Sequence, residues 1–307
     1  MFLALVPMGC FKTMKIVQVN KTLPPISEGL QELGHEIVKV NLRQDEKAIL
    51  RELEGLKPDL VIFHKLGDKD PMLTREASKK WQTWFWMPDP MFNVWGRARD
   101  NVPAHALNCH FCSAPSPIHV KQLWKAIGKK KKVHMVHNVV PPEYRYVEAE
   151  KTHDIGFLGT KYKWRQRALT EICKGRSLLL YGGGYPNGKV SGVDYALAVS
   201  RTRIQLNMAQ REDWPGILSS RSFRILACRG LMLAQTSKDF EGILQPMEHY
   251  VPWTTPREAW EQVRYYLDSS TGRDEGEDIA ARGERWVLER FLPIHQAKRM
   301  REVVNNE

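Results

Sequence analysis

With 307 residues the chain is long enough for two α/β domains, each with its own core, and short for three. Its 42% apolar and 26% charged residues are an ordinary globular composition, no apolar run approaches a membrane span, and five cysteines, an odd number, argue for a reducing cytoplasm rather than a disulfide framework. The net charge of +11 is spread over both halves, which fits a phosphate-rich partner such as nucleic acid or a nucleotide-linked substrate, and fits solubility equally well.

The first thirteen residues, MFLALVPMGCFKT, have an apolar start but neither a basic n-region nor a small-residue cleavage site. They read as an extension ahead of the first strand, not as a signal peptide. From Met14 the pattern is regular. Strands are predicted over 15–19, 36–42 and 58–65, with helices over 26–34 and 45–56 between them, a βαβαβ unit that implies a parallel sheet covered on both faces. A helix near 73–81 precedes QTWFWMPDP (82–90), a strand broken by Pro88 and Pro90. HALNCHFCSAPS (105–116) reads as a strand and loop, 117–128 as a helix and 133–142 as the last strand before a proline-bounded exit.

The second half restarts the same programme. HDIGFLGT (153–160) is a strand ending in a Gly-x-x-Gly-Thr turn, 164–175 a helix, and SLLLYGGG (177–184) a strand running into three glycines. DYALAVSRTRIQLNMA (194–209) holds a helix and a strand. SSRSFRILACRGLMLAQ (219–235) follows as a helix feeding a buried strand, its Arg221 at the helix start, where free backbone N–H groups hold anions. A strand over 248–253, a helix over 256–267 and a long basic helix over 280–304, with a break at Pro293, close the chain.

Several carboxyl-edge loops of the second half thus carry glycine or a cation: Gly156, Gly159 and Thr160, then Lys161, Lys163, Arg165 and Arg167, then Gly182 to Gly184, then Arg221. Such an arrangement suits a diphosphate leaving group. None of it matches GxGxxG or a P-loop, so dinucleotide and triphosphate sites, and with them a nucleotide-sugar epimerase, are disfavoured.

GFLGT with its following arginine, the glycine turn at Tyr181, SRTRIQLN, SRSFRILACRGLMLAQ with DFEGIL behind it, and PREAWEQVRYYL together resemble the C-terminal donor domain of group-1 glycosyltransferases, in the branch of spore-maturation-type proteins. The resemblance covers about residues 153–300. It implies the GT-B architecture: an N-terminal Rossmann-like acceptor domain (1–148) and a C-terminal Rossmann-like nucleotide-sugar donor domain (149–285) facing a cleft, with a helix (286–307) returning to the first domain. It further implies Gly159 and Thr160 against the diphosphate, Arg165 and Arg221 neutralising it as it leaves, Tyr181 and Gly182 bordering the nucleoside, and Asn207, Ser222 and Phe223 completing the donor site. Many relatives have a glutamate, gripping ribose hydroxyls, where this chain has Arg224. Glu241 is the candidate substitute.

The acceptor side falls to the first domain. Four tryptophans and two phenylalanines surround Asp89 between Trp81 and Trp95, and an aspartate after a strand end can serve as general base for an acceptor hydroxyl. Trp86, His64 and His137 are further acceptor-side candidates, although TWFWM reads first as a core strand and both histidines fit structural roles. CHFC (109–112) lacks a second ligand pair, so no zinc site and no other metal or cofactor is expected beyond the nucleotide-sugar donor. The lysine run 129–132 lies in a turn and, with the pervasive charge, keeps a polyanionic acceptor open.

These observations lead to a metal-independent glycosyltransferase moving a sugar from a nucleotide diphosphate, UDP foremost, to a hydroxyl. A hydroxymethylated base in DNA, of the kind some bacteriophages glucosylate, is the favoured acceptor. A polysaccharide, protein or small-molecule acceptor, and a non-catalytic nucleic-acid-binding protein on a transferase scaffold, are the alternatives.

Overall fold

The computed structural model describes residues 12–20, 25–66, 69–87, 101–210 and 218–306. Among these, two all-parallel sheets form two lobes. The first sheet has β1 (Lys15–Asn20), β2 (Glu36–Asn41), β3 (Leu60–His64), β4 (Gln82–Trp86), β5 (Phe111–Ala114) and β6 (His134–Met135) in the order β2-β1-β3-β4-β5-β6. The second has β7 (His153–Leu158), β8 (Leu178–Tyr181), β9 (Thr202–Asn207), β10 (Leu231–Gln235) and β11 (Val251–Trp253) in the order β11-β10-β9-β7-β8. Strand order therefore reverses between β1 and β3 in one lobe and between β7 and β9 in the other. In an open α/β sheet the chain leaves a crevice at such a point, outside the carboxyl ends of the strands.

Central strands read as unbroken apolar runs because helices cover both faces. All five residues of β3 are buried, as are Thr83 to Trp86 of β4, so TWFWM is a core strand. The helices that cover the first sheet are α1 (Ile26–Glu32), α2 (Glu46–Leu56), α3 (Met72–Ser78), α4 (Val102–Asn108) and α5 (Pro117–Ala126). Asp45 caps α2 by accepting from the Ala48 amide at 2.9 Å, and Ser116 caps α5. The second sheet is covered by α6 (Lys163–Ile172), α7 (Gly192–Ser200), α8 (Ser220–Ala227), α9 (Pro256–Asp268) and α10 (Ser270–Leu288). The last helix, α11 (Pro293–Asn306), crosses back. Its Ala297 and Met300 are buried with Ile16, Ile26 and Trp84 in one core of the first lobe.

Three stretches differ from the sequence reading. Residues 102–108 form α4, not a strand; Pro103 in its first turn is a helix-start signal that the apolar run over 105–114 outweighed. The strand expected over 133–142 shrinks to the two residues of β6. Val136, Val139 and Val140 are nevertheless buried, because the connection between lobes is itself covered. The closing helix starts at Ser270, ten residues earlier than expected, and is separated from α11 ahead of Pro293.

That connection fixes the lobes against each other. The Val140 amide donates to the Phe291 carbonyl at 2.9 Å, and the His137 amide to Gln296 Oε1 at 3.0 Å. Ser116 Oγ donates to the buried Asp239 of the second lobe at 2.8 Å.

Candidate active site

The carboxyl edges of both sheets face one cleft of about 640 Å³. Asn20, His64, Lys65 and Trp86 line it from the ends of β1, β3 and β4. From the second lobe come Gly159 and Thr160 after β7, Tyr181 at the end of β8 with Gly182 and Gly183 after it, Ala209 and Gln210 after β9, Ser219 to Arg221 at the start of α8, and Arg224 one turn further on. Both topological switch points therefore open into the same space.

In the second lobe two guanidinium groups hold the crevice between β7 and β9. Arg165 is only 4% exposed, and each of its nitrogens donates to a main-chain carbonyl: Nε to Ala209 (2.8 Å), Nη1 to Thr160 (2.9 Å) and Nη2 to Met208 (2.8 Å). Arg221, half-buried at the cleft, donates from Nε to Asn207 Oδ1 at 2.9 Å and from Nη2 to the Met208 carbonyl at 2.6 Å. Both lie against the Phe157 ring, 5.3 and 5.4 Å from its centroid. Burial and then the neighbouring Arg221 push the Arg165 guanidinium down to about 9, still cationic at neutral pH; burial also lowers Arg221. Arg165 is thus a brace for the loops, whereas Arg221 presents a fixed positive charge to the cleft.

The glycines gain a packing reason. A Cβ on Gly159 would collide with Arg221 Nη1, and one on Gly182, whose φ is +137°, would collide with the Gly159 carbonyl. The two loops are tied together by Gly159 N to Tyr181 O (2.8 Å) and Lys161 N to Gly183 O (2.9 Å), so the Gly159 amide serves the loop contact. The amides that open toward the cleft are those of α8. Its N-cap Ser219 makes no side-chain cap bond among the described residues; the Ser222 amide turns back to the Ser219 carbonyl at 3.0 Å, so the Ser220 and Arg221 amides are the ones left for an anion there. Asn207 supports this end from below, with Nδ2 donating to Ser222 Oγ at 2.8 Å. Ser222 and Phe223 are fully buried and Phe223 stacks on Phe291, so both act beneath the cleft. Glu241 is exposed after the short turn that buries Phe240, and it is not among the cleft-lining residues.

The first-lobe crevice between β1 and β3 is bridged by neutral groups. Asn20 Nδ2 donates to His64 Nδ1 at 2.5 Å, which leaves the imidazole proton on Nε2. Burial and then Lys65 push His64 down to about 3, so it offers the cleft a hydrogen-bond donor and no base. Its ring packs 4.9 Å from that of Trp86. His137 lies away from the cleft lining. Its Nδ1–H donates to the Pro115 carbonyl at 2.9 Å, its ring meets Phe291 edge-on at 5.2 Å, and burial, ahead of Arg299, holds it down to about 4. Asp89 lies outside the described residues.

Cys109 and Cys112 are buried and form no disulfide, and burial pushes the Cys109 thiol up to about 12. The lysine run is partly structural. Lys131 Nζ donates to the Leu107 carbonyl at 3.0 Å and also to that of Cys109, closing the end of α4, while Lys129 Nζ sits 5.0 Å over the Trp124 ring.

Residues 163–302 match the family model described as glycosyl transferase-like. No curated protein matches the sequence. Among solved structures, Alr3699/HepE from Anabaena in complex with UDP superposes with a TM-score of 0.70 at 9% identity, covering 96% of this chain and all of that one. Sucrose-phosphate synthase from Thermosynechococcus elongatus gives 0.71 at 10% identity over 95% and 98% of the two chains. T4 phage BGT in complex with UDP and Mn2+ gives 0.61 at 13% identity over 95% and 99%. At these identities the likeness is one of fold: the chain has the two-lobed GT-B architecture.

Proposed function

We propose that the chain is a glycosyltransferase that moves a sugar from a UDP-sugar to a hydroxyl acceptor. The observation that carries this reading is the uncapped start of α8 beside the locked Arg221, at a switch point facing a second lobe across a cleft. The match of residues 163–302 supports it, as do the UDP complexes of the Anabaena and T4 phage proteins. The diphosphate lies against the first amides of α8, with Gly159 and Thr160 beside it and Tyr181 and Gly182 along the nucleoside. As the sugar–oxygen bond breaks, charge gathers on the leaving phosphate. Arg221 and the helix amides are already aligned to receive it, so no reorganisation is needed at that moment.

Charge neutralisation by these groups is the basis for a reaction that proceeds without metal. Asp89 takes the acceptor proton in this scheme, and His64 and Trp86 border the acceptor. The acceptor we favour is a hydroxymethylated base in DNA, flipped into the cleft, on the strength of the +11 charge and the likeness to T4 phage BGT. We place the reaction in the reducing cytoplasm because of the cysteine usage. Incubation of the protein with labelled UDP-glucose, with and without EDTA and with and without hydroxymethylated DNA, tests all of this. Release of UDP is expected with and without EDTA, and transfer of label to DNA is expected at low salt. Absence of UDP release across a panel of UDP-sugars would leave a binding protein instead. UDP release with no label on DNA would redirect the acceptor to a polysaccharide, protein or small molecule.

A further inference from the structure

The described residues lining the cleft include five cationic side chains, Lys65, Arg165, Lys189, Arg221 and Arg224, and no carboxylate. A nucleotide-sugar diphosphate brings one negative charge per phosphate, fewer than the cations that face it. Arg165 and Arg221 are engaged with main-chain carbonyls. Arg224 is different. It lies one helical turn past Arg221 on the same side of α8, its guanidinium rests 4.5 Å over the Tyr144 ring, and its Nε is buried without a hydrogen-bond partner among the described residues. The Tyr144 ring also meets, edge-on at 5.3 Å, the ring of Tyr195, which lines the same cleft as Arg224, is only 5% exposed, and has a hydroxyl likewise buried without a partner among the described residues. A buried guanidinium N–H and a buried phenol, each without a hydrogen-bond partner among the described residues, are costly unless a ligand completes them. A neutral hydroxyl could pair with both groups, accepting from Arg224 and donating to the Tyr195 oxygen, but it would leave the surplus of cations in the cleft without counter-charge.

We propose that Arg224 and Tyr195 form a receptor for an oxyanion that the donor carries outside its diphosphate, either a carboxylate on the sugar or a phosphate on the ribose. This rests on the UDP-sugar reading above and specifies its donor. Calorimetric titration of the full chain with UDP, UDP-glucose, UDP-glucuronate and UDP bearing a 3′-phosphate tests it. A charge-assisted pair predicts a preference of about tenfold to a hundredfold, for UDP-glucuronate over UDP-glucose if the oxyanion is on the sugar, or for the 3′-phosphate over UDP if it is on the ribose. Arg224→Gln and Tyr195→Phe should each erase most of that preference and leave UDP affinity within about threefold. Tyr195→Phe removes only an oxygen that has no partner among the described residues, so it keeps the test valid if Arg224→Gln fails to fold. UDP binding with neither preference overturns the proposal and leaves the transferase reading intact. So does a loss of UDP affinity in the variants equal to the loss for the acidic ligands, since Arg224 then grips the diphosphate itself. If UDP and both UDP-sugars all fail to bind, the transferase reading falls and this proposal with it.

Discussion

The two lobes solve the same topological problem with opposite chemistry. Each sheet parts its strands where their order reverses. In the first lobe the gap between β1 and β3 is bridged by an amide and a neutral imidazole, Asn20 and His64. In the second the gap between β7 and β9 is bridged by two guanidinium groups on main-chain carbonyls. A shared fold therefore says where ligands go and nothing about which; the side chains at the crevice decide that. On the proposed function, the two fixed guanidinium groups give the second lobe the anionic leaving group, and the first lobe, whose bridge is neutral although Lys65 also lines the cleft, receives the hydroxyl.

The comparison breaks most visibly at Arg221. If its charge receives the departing diphosphate, Arg221→Ala should lower kcat by about 10²- to 10³-fold with a smaller effect on KM. A kcat within threefold of the parent, measured by UDP release, would strip the second lobe of its assigned role. Arg165 offers the contrast. Arg165→Met takes the side-chain donor from the Ala209 and Thr160 carbonyls, while Met208 keeps Arg221, and the expected loss is about 2 kcal/mol of unfolding free energy in urea. Stability unchanged by this variant would mean that Arg165, too, works on the ligand and not on the loops.

A smaller and more local test uses the loop contact. Gly182→Ala places a methyl group against the Gly159 carbonyl at a φ that L residues avoid, whereas the nearest neighbour of a Cβ on Gly183 is Thr160 Cγ2 at 3.7 Å. Strain of about 1–3 kcal/mol should raise KM for the donor in the first variant and leave it near the parent value in Gly183→Ala. Equal behaviour of the two would show that the loops are not held by this approach.

Most strands and the order of elements were legible because alternation of apolar runs with amphipathic segments is a local signal. Gly159, Gly182, Arg165 and Arg221 could be picked out for the same reason: glycine or cation after a strand is visible in one dimension. What could not be read was how a candidate spends its hydrogen bonds. Arg165 and Arg221 look alike in sequence, and only their partners separate a brace from a binding group. Arg224 stood out as a departure, but nothing in the order of residues places it beside Tyr195, which comes from another helix. The strand expected over 133–142 failed because the valines are buried by the junction of the lobes, a contact between distant parts of the chain.

The smallest expected effect concerns the neutral bridge. His64 is held down to about 3 in the folded chain and titrates near 6.5 when unfolded. Its stabilising contribution is therefore complete above pH 6.5. Below that the unfolded chain binds a proton that the folded chain refuses, so stability falls as pH drops from 6.5 toward 3, by at most about 1.4 kcal/mol per pH unit from this one residue. His137, held down to about 4 in the junction, adds a similar slope over a shorter window. His64→Gln removes the first of these and not the second, so its urea-unfolding free energy should fall less steeply than the parent's between pH 6 and 4. Arg165→Met, in the other lobe, should be displaced downward with the parent's slope. If His64→Gln kept the parent's full slope, the imidazole would have to be charged in the folded chain. The first-lobe crevice would then be cationic like the second, and the division of labour between the lobes would lose its physical basis.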